Sequence, residues 1–295
     1  MNTFKTVILM ALLTGLLIAA GQAFGGRSGA MIMLGASLVI NFLSYWNSDK
    51  IVMKSYKAKE ITRGQAPELY DLVAGLAKNA QLPMPKVCII RSEVPNAFAT
   101  GRNAEHAAVC VTTGIMRTLT IKEMSGVLAH ELSHIKHNDT LISCVSASIA
   151  GMISTLGHLA QWAAIFGMGG ARNRDENGGG LGLIFTIILA PLTAMLIQMA
   201  ISRSREYEAD KSGGEICGDP LALASALKKL DMYARTLRPL SGARPETAHL
   251  FIVNPLSGKD ISFRTLFSTH PSTEDRVARL EAQAKEMAEK KIEKK

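Results

Sequence analysis

Apolar positions cluster along this chain in two different ways. Four long runs, 6–23, 30–46, 141–168 and 181–201, contain no Asp, Glu, Lys or Arg. Each reaches the ~17 residues that a helix needs to cross a bilayer. Elsewhere the apolar residues alternate with polar ones on shorter periods. ELYDLVAGLAKN (68–79) repeats at helical spacing and predicts an amphipathic helix. PKVCIIRSEV, AFATG and AAVCVTTG are short β-branched or small-residue runs bounded by turn-like polar residues, and predict strands. Thr120 followed by Glu123 forms a capping box for a helix starting near Ile121, with continuation into the third run expected. Helices are expected again over 204–215 and 221–237. Residues 238–272, with Pro239, Pro245, Pro255 and Pro271, are expected to be loop-rich. The charged tail from Arg276 predicts a helix docked by one stripe, Val277, Leu280, Ala284 and Met287.

This pattern divides the chain into a transmembrane hairpin over 1–47 and a soluble segment over 48–139. A second pair of spans over 140–201 and a second soluble segment over 202–295 follow. A cleaved signal peptide is the alternative for the first run, since Lys5 precedes it and AAGQA offers small residues. The short GGRSGA link to the next run favours a hairpin instead. Lys50, Lys54, Lys57, Lys59 and Arg63 follow the second run, and Arg203, Arg205 and Lys211 follow the fourth. That bias places both termini and both soluble segments in the cytoplasm, although Arg172 and Arg174 between the third and fourth runs blur it. The net charge of +8 then reflects contact with an anionic membrane face. No basic stripe interleaved with aromatics points to nucleic acid. The four cysteines lack CxxC spacing, so neither disulfides nor a zinc ribbon is indicated.

The chemistry lies in HELSH, residues 130–134. Histidines four apart on a helix share a face, so neutral imidazoles at His130 and His134 can bind one zinc ion. Glu131 sits part of a turn round, where its carboxylate can act as general base on a water activated by the metal. A chance HExxH arises about once per hundred chains with so few histidines, which sets aside two incidental histidines. A catalytic zinc needs a third protein ligand. The pattern HExxHxxGxxH is excluded, because His137 and Thr140 stand where Gly and His are required. SREYEADKSGG offers Glu206 as the ligand instead, with Asp210 on the same face to accept the N–H of a ligand histidine. Glu208 points to the far side. Two intervening spans return the chain to the same side of the membrane, so the two segments can meet.

HELSH, EYEAD after two spans, VPNAFATGR before the metal helix and FSTHPSTEDRVARL near the end together resemble the HtpX family. These are bacterial membrane-bound zinc metalloproteases related to the CAAX prenyl protease. The resemblance covers nearly the whole chain. It implies one zinc per subunit held by His130, His134 and Glu206, with Glu131 as base and Asp210 as a supporting partner. By position it carries His270 and Arg276 to the site, to steady an oxyanion and the fold. Asn96, Ala97, Phe98 and Ala99 match an edge strand that binds an extended peptide substrate, the bland alternative being a strand paired inside the sheet. The implied architecture is α+β, mostly helical, with four transmembrane helices and a cytoplasmic gluzincin-like domain built on a small sheet. The implied activity is degradation of unfolded or damaged membrane proteins at the cytoplasmic face of the bacterial inner membrane, as part of stress response. Three competing readings are a site-two-type intramembrane protease, a CAAX-type processing enzyme and a membrane-anchored chaperone or scaffold with a structural zinc. Lys122, Glu123, Lys136 and Asp139 bracket the metal helix with charge and oppose the first. Four spans instead of a larger helical barrel oppose the second, and a retained Glu131 opposes the third. For His106, His137, His158 and His249 local hydrogen bonding is the expected role.

Overall fold

In a computed structural model of the chain, residues 2–146, 203–236 and 271–293 are described. The third and fourth apolar runs beyond residue 146, most of the loop-rich 238–272, and His158, His249 and His270 lie outside them.

Helix α1 (Asn2–Trp46) is helical throughout but folds back on itself. The Asn41 side-chain amide donates to Met10 O at 3.2 Å and to Thr14 Oγ1 at 2.9 Å, a contact that a straight helix of this length forbids. Gly26, at φ +56°, supplies the left-handed residue for the reversal. Gly21 and Gly29 then approach so closely that a Cβ on either would strike the other's carbonyl. The half Gly26–Trp46 is 21 residues long and apolar enough to cross a membrane, with 11% of its apolar window buried. Its partner Thr6–Ala19 is shorter. Among the described residues, Gly26–Trp46 is the one helix that meets that length.

Helix α2 (Ser48–Ser55) leads to a four-stranded sheet with order β1-β2-β4-β3: β1 (Lys59–Glu60), β2 (Lys86–Ile90), β3 (Ala97–Gly101) and β4 (Ala107–Thr112). β2 and β4 are parallel, and β1 and β3 flank them antiparallel. β4 is buried along its whole length, which explains its unbroken AAVCV run. One face of the sheet packs on α5 (Ile121–Lys136), and α3 (Pro67–Ala80), α7 (Pro220–Thr236) and α8 (Thr273–Glu293) complete the same core through Val73, Val109, Leu128, Leu227 and Leu280. The other face carries Phe98, Cys88, Cys110 and Cys144, with the Tyr56 ring tilted at 50° against Phe98. α4 (Thr113–Thr118) closes the end of β4, and α6 (Arg203–Cys217) crosses α5.

The expected capping box is present: Thr120 Oγ1 accepts from Glu123 N, and the Glu123 carboxylate accepts from Thr120 N at 2.9 Å. Continuation of α5 into the third apolar run is not what the chain does. α5 ends at Lys136, Asn138 adopts φ +56°, and helix resumes at 139. Ser272 caps α8 by accepting from Asp275 N, and Val277 and Leu280 are the buried part of its stripe.

Candidate metal centre

α5 is covered on nearly every side, so whatever it carries is held rigidly. His130 and His134, four residues apart, bring their Nε2 atoms to 3.2 Å from one another. Glu206, in the first turn of α6, lies 3.8 Å from His130 Nε2 through Oε2 and 3.7 Å from His134 Nε2 through Oε1. All three ligand atoms fall within 4.8 Å of one another. Ligands about 2.0–2.1 Å from a tetrahedral zinc stand about 3.4 Å apart, so this triangle fits such an ion with little adjustment.

The two ring nitrogens face each other because their opposite sides are occupied. His134 Nδ1 lies 3.1 Å from Asp139 Oδ2. His130 Nδ1 lies 3.0 Å from Asp210 Oδ1, at an angle bent away from an ideal hydrogen bond. With each Nδ1 carrying its proton toward the neighbouring carboxylate, both Nε2 lone pairs point at one place, where a cation would satisfy them. Arg276 is fully buried and holds Asp210 with two bonds, Nε to Oδ2 at 2.8 Å and Nη2 to Oδ1 at 2.7 Å. Its remaining nitrogen is 3.9 Å from Glu206. The guanidinium is thus committed to the carboxylates behind the site, which favours the fold-steadying half of its expected role. Arg205 Nη1 stands 3.7 Å from Asp139 Oδ1.

Glu131, Asp139, Glu206 and Asp210 set four carboxylates against the two guanidiniums, leaving two formal negative charges at a buried site. A divalent cation neutralises them. Burial alone would lower His134, but the Asp139 hydrogen bond and the Glu206 and Glu131 charges outweigh it and raise the imidazole to about 9. The surroundings therefore favour positive charge at these rings. Burial opposes ionisation of Asp210, yet the Arg276 charge and hydrogen bonds hold its carboxyl below the usual range. Burial raises the Glu131 carboxyl, against the pull of the neighbouring histidines and the Ala99 N–H.

That Ala99 N–H donates to Glu131 Oε2 at 2.8 Å. β3 is the edge strand of the sheet, with Ala97, Phe98 and Ala99 in it and Asn96 just before it. Asn96 closes the β3–β4 pairing: its carbonyl accepts from Thr112 N, and its N–H donates to Thr112 Oγ1. By the alternation of an antiparallel pair, Ala97 and Ala99 then turn their backbone groups away from β4, toward α5. All five β3 residues are buried, so the edge is lined and not open to bulk water. His137 bonds Ser133 Oγ at 3.2 Å and His106 bonds Asn103, both local contacts. His270 lies outside the described residues.

Reasoning from sequence did not find Asp139, Arg205 or the Ala99 amide. Asp139 follows His134 at a spacing that no regular helix brings to one face, and a backbone N–H has no residue signature.

The family described as Peptidase family M48 matches residues 64–284. "Protease HtpX homolog" of Persephonella marina is 51% identical over 291 residues, 97% of this chain and 99% of that protein. The protein of the same description from Methylibium petroleiphilum is 53% identical over 283 residues, 95% of this chain and 97% of its own length. That of Thermococcus sibiricus is 50% identical over 284 residues, 96% of each. A crystal structure of S. mikatae Ste24p superposes with a TM-score of 0.51 at 19% identity over 95% of this chain, a likeness of fold alone. This chain spans 65% of that longer protein. With full-length relatives at half identity, the M48 match and three side chains that could hold a metal drawn together, the chain belongs to peptidase family M48, in its HtpX group of metallopeptidases.

Proposed function

We propose that the chain is a membrane-bound zinc metalloendopeptidase that cuts unfolded or damaged membrane proteins at the cytoplasmic face of the bacterial inner membrane. One observation carries the catalytic part: His130, His134 and Glu206 converge within 4.8 Å beside Glu131, whose other neighbour is the edge strand of the sheet. His130, His134 and Glu206 would hold the zinc, which would supply Lewis acidity for activating a water near neutral pH. Ala99 N–H fixes Glu131 through Oε2, leaving Oε1 to take the proton of the attacking water and pass it to the departing amine. Burial keeps that carboxyl basic enough to accept it. Asp210, backed by Arg276, holds the His130 ring. His270 is proposed, on family resemblance, to steady the oxyanion.

The outward backbone groups of Ala97 and the carbonyl of Ala99, whose N–H is taken by Glu131, suit an extended peptide added as a further strand, with little demand on its sequence. Among the described residues three groups converge, which supports an open fourth position over a closed structural zinc site. The exposed apolar flank of α1, with Met31, Ile32, Leu38 and Phe42 all at least 60% exposed, supports burial in lipid. The lysines that follow it favour the cytoplasmic side for the soluble part.

Purified full-length protein in detergent with zinc is expected to fragment unfolded casein, while Glu131→Gln leaves it intact. Equal cutting by both proteins would remove Glu131 from the chemistry. Binding of zinc with no cutting by either would favour the chaperone or scaffold reading.

A further inference from the structure

α5 carries two of the three proposed metal-binding side chains and then stops two residues after His134. His137 N bonds Ser133 O at 3.0 Å, Asn138 N bonds Ile135 O at 3.1 Å, and Asn138 takes the left-handed φ of +56°. Asparagine is among the few residues other than glycine that adopt this conformation readily. In an unbroken helix residue 139 would stand about 140° round from His134 and face away from it. The left-handed residue instead turns the chain back, so that Asp139 lies against the ring, its Oδ2 3.1 Å from His134 Nδ1. Asp139 is 5% exposed. Its second oxygen faces Arg205, at 3.7 Å, on the residue just before Glu206.

Two histidines therefore have two separate supports. His130 leans on Asp210 and Arg276, from α6 and α8. His134 leans on Asp139 and Arg205, from the end of α5 and the start of α6. The second support connects two of the three proposed ligands: one carboxylate touches the ring of His134 and the cation that precedes Glu206. Burying Asp139 without such partners would be strongly unfavourable.

We infer that Asp139 is a positioning residue for the metal centre. It accepts the Nδ1 proton of His134, which leaves the Nε2 lone pair free toward the metal. This rests on the reading that His130, His134 and Glu206 hold a metal ion.

The test is zinc affinity of the full-length protein in detergent, measured by competition with a chromogenic chelator, alongside the cobalt(II) absorption spectrum and a thermal melt. Asp139→Ala is expected to bind zinc roughly 10–100-fold more weakly than wild type and to alter the cobalt spectrum. Asp139→Asn keeps an oxygen acceptor at the same place and is expected to stay within about tenfold of wild type. Wild-type affinity in Asp139→Ala overturns the inference. So do equal losses in the two variants, which would mean that the ion pair with Arg205 matters and the bond to His134 does not. Should Asp139→Ala fail to fold, Asp139→Asn decides alone: retention supports the assignment, and a loss beyond about tenfold overturns it. Wild-type protein that binds no zinc would instead sink the underlying metal-site reading.

Discussion

Replacing Arg276 by methionine keeps a long, unbranched side chain in place but strips Asp210 of its cation. Asp210 is 2% exposed and takes both of its short charge-assisted bonds, 2.8 and 2.7 Å, from this guanidinium. Water cannot replace them at such depth. Breaking a buried pair from one side costs about 3–5 kcal/mol, chiefly for the charge left behind. For a domain of this size each kcal/mol moves the melting temperature by about 2–4 °C, so a loss of about 6–20 °C is expected. The double variant Arg276→Met with Asp210→Asn removes the stranded charge and is expected to melt above the single Arg276→Met variant. Thermal melts in detergent, with and without zinc, measure both, and the single variant should also bind zinc more weakly because His130 loses its fixed support. A single variant melting within 2 °C of wild type, or a double variant no more stable than the single, would refute the reasoning.

Three further outcomes follow from the same geometry. Glu123 accepts from Lys229 at 2.7 Å, Ser225 at 2.7 Å and Thr120 at 2.9 Å; burial opposes ionisation, but these partners hold the carboxyl down to about 2 from an ordinary 4.5. At about 1.4 kcal/mol per pH unit, discounted for a partly exposed Lys229, that anchoring is worth about 2 kcal/mol. It is present above pH 4.5 and lost as pH falls toward 2, so acid-unfolding curves should show wild type losing its advantage over Glu123→Gln across that window. Gly213→Ala places a methyl 2.9 Å from His130 N and Cα, so α6 must move off α5 and carry Glu206 with it. A stability loss of about 1–3 kcal/mol and weaker zinc binding in chelator competition are expected. Removing zinc with a strong chelator should abolish casein cleavage, and readdition should restore it, as read by gel.

The elements that sequence reasoning located well are those whose signal is local. AFATG is β3 residue for residue, and the Thr120–Glu123 box starts α5 where expected, because caps and alternation act over a few residues. The pairing of His130 with His134 was legible for a related reason: helical spacing selects a common face before any tertiary structure is known, while Glu206, on another segment, followed from the need for a third ligand. The two-residue β1 was missed because a strand that short shows no period. Asp139 escaped because its position depends on one left-handed residue, Asn138, that interrupts a helix expected to run on. The reversal in the GGRSGA link was expected, but the contact of Gly21 against Gly29 was not, since close backbone approach is a property of two segments together.

The central claim is tested most directly by the zinc content of purified full-length protein beside Glu206→Gln, a variant that keeps the size of the side chain and removes its charge. One zinc per wild-type chain, lost or greatly reduced in Glu206→Gln together with casein cleavage, is the predicted result. Undiminished zinc and cleavage in Glu206→Gln would contradict the three-residue metal centre on which the whole account stands.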